Sequence, residues 1–549
     1  MAEPAFRLER SAMSFTEKKN LNSSKLNEDK LDRLKFFLAA SSGFLLTLSF
    51  PKAGISWLAW FAVVPLLAAL RNLSLKNGFI LGLCAGLVHY LTLVYWLAYT
   101  MTTYGNLPFY VSVPVLLLFS AYLAMYPAIF SMALTCLCPR PVFLVFMPPL
   151  VWVSLEYIRS FLFTGFPWEM VGYTQFKVLK IIQISDISGV YGVSFCVVFA
   201  NASIFLAYLY LAKKDWQKTS VQAKLAAGSM AAFAFILGLV WFYGDHRIRS
   251  IQERIVNSPS AKITVVQGNI DQAQKWDPAY QRSSTLKYID LSRTAKKHAP
   301  DLVVWPETAT PFYFMHNAQL SELVLKGIHE TGVDVLFGSP SLDFKNNRVE
   351  YYNSAYLVGP GGNIQGKYDK AHLVPFGEYI PFKKWLPFLG KMVENVGDFR
   401  PGKKGHTLQW KNHSIGIQIC YEMIFPNLSR YMAENNAALL INITNDAWYG
   451  RTSAPYQHFS MAVLRAVENK RSLIRAANTG ISGFIDPTGR IIAATPLFKD
   501  VVMTRTVPIL QEMTVYTRFG DVFAMACLAI SLIAAVSTCL YHRFRKYSG

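Results

Sequence analysis

Eight apolar stretches, each near or beyond the length of a membrane-crossing helix, constrain this chain more than any other feature. They lie at about 34–50, 54–70, 77–102, 108–137, 142–163, 189–212, 223–243 and 521–541. A hydrocarbon core of about 30 Å takes roughly 20 helical residues, so a multi-span α-helical membrane domain of about eight transmembrane helices is expected. Composition agrees: 52% hydrophobic against 16% charged residues is too oily for a string of soluble domains. The fourth stretch is over-long and carries Pro114 and Pro127, which tilting or kinking would accommodate. The first two are short, and a re-entrant hairpin is their alternative.

Lys and Arg exceed Asp and Glu by 54 to 34, a net +20. Such an excess on a soluble domain would suggest nucleic acid. Here much of it occupies short loops and tails between apolar stretches, and no recognition motif accompanies it, so no nucleic-acid partner is expected. Short basic loops tend to stay cytoplasmic. The basic N-terminal tail, Arg71, Lys76, Arg140, Lys213, Lys214, Lys218, Lys224, Arg543, Arg545 and Lys546 all fall on one side of the alternating spans, and the segment 245–520 falls on the other. The expected organisation is a polar cytoplasmic tail (1–33), seven transmembrane helices (34–244), an extracytoplasmic domain (245–520), an eighth helix (521–541) and a cytoplasmic tail (542–549). Residues 1–33 lack a small-residue cleavage pattern and read as a tail, not a signal peptide.

Within 245–520, short β-branched runs alternate with helix-like stretches, the pattern of an α/β domain. Strands are expected at 263–268, 302–306, 334–338, 354–358, 415–419, 438–443 and 482–485, and helices around 279–298, 318–331, 425–434 and 456–471. Six of seven cysteines sit in apolar stretches, leaving Cys420 alone in the polar part of the chain. Neither cysteine spacing nor the scattered histidines suggest a metal, and no cofactor is expected.

Cys420 ends the run SIGIQIC, where a strand turns towards a helix and could expose a nucleophile once a base or cation assists its deprotonation. Glu307 ends another strand, in DLVVWPETATP, and a carboxylate among apolar and aromatic groups suits a general base. Lys370 lies in KYDKAHLVPFGEYIP, too rich in Gly, Pro and aromatics for a solvated helix face, and could supply a fixed charge to an oxyanion. Taken singly, each residue also has a plain structural reading, as packing for Cys420 or a cap for Glu307. Glu156 and Arg159, one helical turn apart in an apolar span, could line a path for lipid head groups or form a structural ion pair.

Taken together, the Glu, Lys and Cys in this order resemble the nitrilase, or carbon-nitrogen hydrolase, superfamily, whose fold is an αββα sandwich. More closely, QGNIDQAQKWDP (267–278), KYDKAHLVPFGEYIP, ICYE (419–422), NDAWYG (445–450) and EYIRSFLFTGFPWEMVGYTQ (156–175) resemble the apolipoprotein N-acyltransferase family across roughly 34–541. The resemblance implies Glu307 as proton acceptor, Lys370 as oxyanion stabiliser and Cys420 as nucleophile, with Glu378, Trp276, Asn353, Tyr421 and Glu422 in support. It implies a phospholipid acyl donor, a diacylglyceryl apolipoprotein acceptor and a bacterial cytoplasmic membrane with the catalytic domain periplasmic. Plain alternatives stand beside the supporting residues: an interfacial anchor for Trp276, a turn for Asn353, packing for Tyr421. Trp448 and Tyr449 could dip into lipid or gate the site, or pack within their loop. The stretch Ala309-Thr310-Pro311 departs from the family pattern without touching the triad. A membrane-tethered amidase and a transporter with an accessory domain are the competing readings.

Overall fold

The computed structural model describes residues 31–345, 347–381 and 398–547. Residues 1–30 of the expected N-terminal tail and 548–549 of the C-terminal tail lie outside them.

Among the described residues, four helices are long and apolar enough to cross a membrane, by length and composition: Phe109–Leu137, Val190–Leu211, Ala223–Val256 and Val522–Tyr541. A fifth span would be Leu75–Leu93 with Trp96–Thr103, bent by 48° at the break between them. Eight spans are therefore not clearly distinguished among the described residues. The stretch 34–50 forms a helix of 17 residues, Arg33–Ser49. The stretch 54–70 divides into a 3-10 turn, Ser56–Trp60, and the six-residue helix Val64–Ala69. The stretch 142–163 supplies a 3-10 turn, Pro141–Leu144, and 13 helical residues, Met147–Arg159. Proline accompanies the difference: Pro65 is the second residue of Val64–Ala69, and Pro148 and Pro149 are the second and third of Met147–Arg159, positions where the missing N–H costs no intrahelical hydrogen bond. Pro114 and Pro127, by contrast, lie inside one unbroken helix. Gly86 of Leu75–Leu93 lets that helix meet Phe109–Leu137 closely, since a Cβ there would lie 2.7 Å from the Ala124 Cα.

The polar half builds two sheets. Strands β1 (Ser260–Gln267), β2 (Leu302–Val304), β3 (Asp334–Lys345), β4 (Arg348–Val358), β5 (Ile364–Asp369) and β12 (Val501–Pro508) pair in the order β12-β1-β2-β3-β4-β5. Strands β6 (Thr407–Trp410), β7 (His413–Ile419), β8 (Ala437–Thr444), β9 (Ser472–Ala477), β10 (Gly483–Ile485) and β11 (Ile491–Ala494) pair in the order β11-β10-β9-β8-β7-β6. Side chains alternate across each strand, which splits β2 between two cores. Leu302 and Val304 join the core shared by the sheets, with Ile415, Ile417 and Ile441. Val303 and Trp305 face the other way, against Tyr288 and Ile289 of helix Pro278–Ala295 and Val324 and Ile328 of helix Ala318–Thr331. Helices Pro426–Glu434 and Ala454–Asn469 cover the second sheet. The result is the expected αββα sandwich. Because both faces of each sheet are buried, the central strands read as continuous apolar runs.

The apolar helices and the sandwich interlock at named residues. Helix Ala223–Val256 runs 13 residues past the expected end of its span. There Arg247 meets Asp186 at 2.7 Å and also pairs with Glu512, while Lys180 meets Asp245 at 2.7 Å. On the other side, the Gln457 carboxamide oxygen accepts the indole N–H of Trp96 (3.2 Å) and of Trp168 (2.9 Å), and its nitrogen donates to the Leu93 carbonyl (3.2 Å). Gln457→Leu is expected to strand both indole donors. A buried donor left without a partner costs about 1–3 kcal/mol, so a clear fall in the Tm of the detergent-solubilised protein should follow, and an unchanged Tm would contradict this account of the interlock.

Candidate active site

The site forms where the parallel strands of the two sheets end. Glu307 follows β2, Asn353 lies on β4, Lys370 follows β5, Cys420 follows β7 and Asn445 follows β8. Strand ends are where a sandwich can present side chains without breaking ladder hydrogen bonds, and the crevice at carboxyl ends is the usual ligand position of parallel sheets. The Glu307 turn lies directly on β3, where a Cβ at Gly338 would stand 2.7 Å from the Glu307 Cα. Glycine is required there by close approach.

Glu307, Lys370, Glu378 and Asn353 form one buried hydrogen-bonded set. The Lys370 Nζ is 2.9 Å from Glu378 Oε1 and 3.7 Å from Glu307 Oε1, with the lysine only 1% exposed. The Asn353 amide nitrogen donates to both carboxylates, at 2.8 Å to Glu307 and 2.7 Å to Glu378. The remaining Glu307 oxygen accepts the Asn445 backbone N–H at 2.9 Å, which ties the first sheet's carboxylate to the second sheet. Burial works against the charge of Lys370, but Glu378 and then Glu307 outweigh it and hold the ammonium above its ordinary range. A permanent cation is thus fixed between two acids.

Cys420 opens a 3-10 turn, Cys420–Ile424, and has φ +51°. A left-handed non-glycine residue costs roughly 1–2 kcal/mol, and such strain concentrates at functional turns. The thiol is buried and lies within electrostatic reach of both Glu307 and Lys370. Burial, and then the Glu307 charge, push its pKa up to about 12 despite Lys370. The resting group is therefore a thiol, and its nucleophilic form requires a base at the moment of attack. Without substrate, the thiolate fraction grows as pH climbs towards that value. Alkylation of Cys420 by iodoacetamide, followed by peptide mass spectrometry, should thus accelerate about tenfold per unit from about pH 8 to about pH 10. A plateau near pH 9 would show an ordinary thiol instead.

Glu422 is the clamp behind this arrangement. Its carboxylate accepts N–H bonds from Ile419 (2.7 Å), Ala371 (2.6 Å) and His372 (3.1 Å), and the Tyr368 hydroxyl (2.9 Å). It therefore joins the turn bearing Cys420 to the loop bearing Lys370. Burial pushes its own pKa up to about 7 against those donors. The Tyr421 hydroxyl donates to the Gly165 carbonyl at 3.3 Å, and its ring packs on Phe425 at 5.2 Å. Trp276 is 48% exposed at the end of the short helix Gln272–Lys275. Trp448 meets Tyr104 edge-on at 5.5 Å, and Tyr449 packs on Trp96 at 4.9 Å. Glu156 and Arg159 line one cavity with Glu169 but bond to different partners. Glu156 accepts from Trp152 (2.9 Å) and the Val171 N–H (2.8 Å), whereas Arg159 donates to the Tyr90 hydroxyl (3.0 Å). The expected ion pair is therefore replaced by separate contacts.

Two features were not singled out in the sequence. Lys275, buried to 2% exposure, donates to the Glu307 backbone carbonyl at 2.9 Å, and burial draws its pKa down to about 8 against Glu307 and Cys420. Its signal was its place in the 267–278 motif, one residue before Trp276. The second is a group of Asp446, His458 and Arg475 behind Cys420. Asp446 stood within the quoted 445–450 motif, but nothing local marks His458 or Arg475, which lie 12 and 29 residues further on.

This sandwich and this cluster define a carbon-nitrogen hydrolase domain, and residues 262–512 match the family model described as Carbon-nitrogen hydrolase. A solved amidase from Nesterenkonia sp. covers 48% of this chain and 95% of its own at 18% identity, with a TM-score of 0.35. Residues 42–203 match the model described as Apolipoprotein N-acyltransferase N-terminal domain. An apolipoprotein N-acyltransferase of Geobacter metallireducens is 43% identical over 508 residues, covering 92% of this chain and 96% of its own. Another, of Methylococcus capsulatus, is 31% identical over 520 residues, covering 93% and 97%. The chain belongs to the apolipoprotein N-acyltransferase family, and it is an acyltransferase enzyme.

Proposed function

We propose that this protein N-acylates lipoproteins by moving an acyl chain from a membrane phospholipid, through a thioester on Cys420, to the α-amine of an N-terminal diacylglyceryl-cysteine. The observation that carries the reading is the buried, hydrogen-bonded set of Glu307, Lys370 and Glu378, with the buried Cys420 thiol within electrostatic reach of Glu307 and Lys370. In the first half-reaction Glu307 takes the Cys420 proton as sulfur adds to the ester carbonyl carbon. The carbonyl electron pair moves to oxygen, and Lys370 with a backbone amide stabilises that oxyanion. On collapse the ester C–O bond breaks, and the departing lysophospholipid oxygen receives the proton from Glu307. In the second half-reaction the acceptor amine attacks the thioester, Glu307 receives its proton, the C–S bond breaks and the sulfur is reprotonated.

Glu378 keeps Lys370 in place, Asn353 orients both carboxylates, and Glu422 holds the nucleophile's turn against the lysine loop. Tyr421 and Trp276 shape the approach. The apolar helices of 34–244 and 521–541 sit in the cytoplasmic membrane of a bacterium, with 245–520 on the periplasmic side. Donor and acceptor are both bilayer lipids, so a catalytic domain locked onto membrane helices reaches carbonyls near head-group level. Intact-mass analysis after incubation with phospholipid alone tests the proposal: the enzyme should gain one hydroxylamine-sensitive acyl group on Cys420. Turnover of small amides with no such adduct would refute it.

A further inference from the structure

His458 lies 0% exposed on helix Ala454–Asn469, directly behind the nucleophile. Its Nε2 is 3.2 Å from the Cys420 carbonyl oxygen, and its Nδ1 is 3.0 Å from an Arg475 nitrogen and 3.1 Å from Asp446 Oδ1. A carbonyl oxygen can only accept, so Nε2 carries the hydrogen that is donated to Cys420, while Nδ1 stands between the Arg475 donor and the Asp446 acceptor. Burial, and then Arg475, lower the pKa of the ring against the opposing pull of Asp446. Buried hydrogen bonds hold the frame behind it. Arg475 donates to Asp446 Oδ2 at 2.7 Å and also bonds Asn442, and Thr444 donates to Asp446 Oδ1 at 2.9 Å. One residue before His458, Gln457 takes the two indole N–H bonds described above, and the Trp168 ring packs 5.7 Å from the imidazole.

A trans peptide points its C=O and N–H in opposite directions, and the Cys420–Tyr421 bond is trans. Holding the carbonyl oxygen of Cys420 therefore aims the Tyr421 N–H away from His458. That N–H stands in the first turn of a 3-10 helix, where no intrahelical acceptor exists. We propose that His458 is a positioning residue for acyl transfer, which pins the left-handed Cys420 peptide so that the Tyr421 amide meets the oxyanion formed as Cys420 Sγ adds to a carbonyl carbon. This inference rests on the thioester reading above and names which backbone amide serves it and what aims that amide.

The test separates oxyanion stabilisation from thiol reactivity. Acylation of Cys420 by p-nitrophenyl butyrate passes through an oxyanion, whereas alkylation by iodoacetamide does not. Both are read on full-length protein in detergent, with Cys420→Ala as background. His458→Leu should slow acylation by about 10- to 100-fold, somewhat less than outright loss of an oxyanion donor, while alkylation stays within about threefold. His458→Gln, whose carboxamide can still donate to the carbonyl, should regain most of the acylation rate. Parallel loss of both reactions in both variants, loss of alkylation alone, or unchanged acylation in His458→Leu would each overturn the proposal. Should His458→Leu not fold, His458→Asn, with too short an amide to span the gap, takes its place. If wild-type protein is acylated by the activated ester but never by phospholipid, the lipid reading fails and the role of His458 stands.

Discussion

Cys420→Ala should leave no acyl adduct after incubation with phospholipid and no detectable N-acylation of a diacylglyceryl peptide. Sulfur is the only atom at this position able to carry the acyl group between donor and acceptor, so no neighbouring residue substitutes for it. Loss of a covalent nucleophile removes the pathway rather than slowing it, and a fall of at least about 10³-fold is expected. The fold should persist. Cys420 contributes a single small buried side chain, and such truncations usually cost about 1 kcal/mol, so the Tm should move by only a few degrees. Retained acylation in this variant would end the thioester mechanism; lost acylation together with collapse of the Tm would leave it without support.

Lys370→Ala should be nearly as damaging, for two separable reasons. The Lys370 amine lies 2.9 Å from Glu378 and 3.7 Å from Glu307, and Asn353 bridges the same two carboxylates. Without the ammonium, the two buried carboxylates keep only neutral amide donors, from the Asn353 side chain and the Asn445 and Val374 backbones. Removing one partner of a buried ion pair costs about 3–5 kcal/mol because the remaining charge is uncompensated. Acylation should fall on the order of 10³-fold, as expected when a charge aimed at the oxyanion is lost from a water-poor site. The double variant Lys370→Ala with Glu378→Gln distinguishes the two effects. It relieves the surplus charge and should recover much of the Tm, but not the acylation. Recovery of acylation in the double variant would show that Lys370 serves only to neutralise Glu378.

Much of this site was legible because its residues end apolar runs. Glu307 and Cys420 stand one to three residues beyond strands whose aliphatic content announces them, and burial on both faces made β2, β7 and β8 readable as continuous runs. Strand β9 escaped notice because Arg475 interrupts it. That arginine is tolerated in a buried strand only because Asp446 and Asn442, far away in sequence, receive its protons. The edge strands β5 and β12 escaped for a different reason, being polar or half-exposed along one face. Fewer long helices than apolar stretches are described because 54–70 and 142–163 each divide into a 3-10 turn and a shorter helix with proline in its first turn.

By itself, then, the chain's order of residues determined two phases, an oily helical one and an α/β one, and brought Glu307, Lys370 and Cys420 forward as candidates whose roles the family resemblance implied. The two phases follow from transfer free energies and side-chain periodicity, which act residue by residue along a single strand or helix. Only the tertiary structure decided that Glu378 and Asn353 complete the lysine's pocket, that Glu422 binds two loops from opposite sheets, and that His458 backs the nucleophile's own carbonyl. Buried charges and orphan N–H groups survive only with partners, and the packing of two sheets against each other chooses those partners across tens to hundreds of residues.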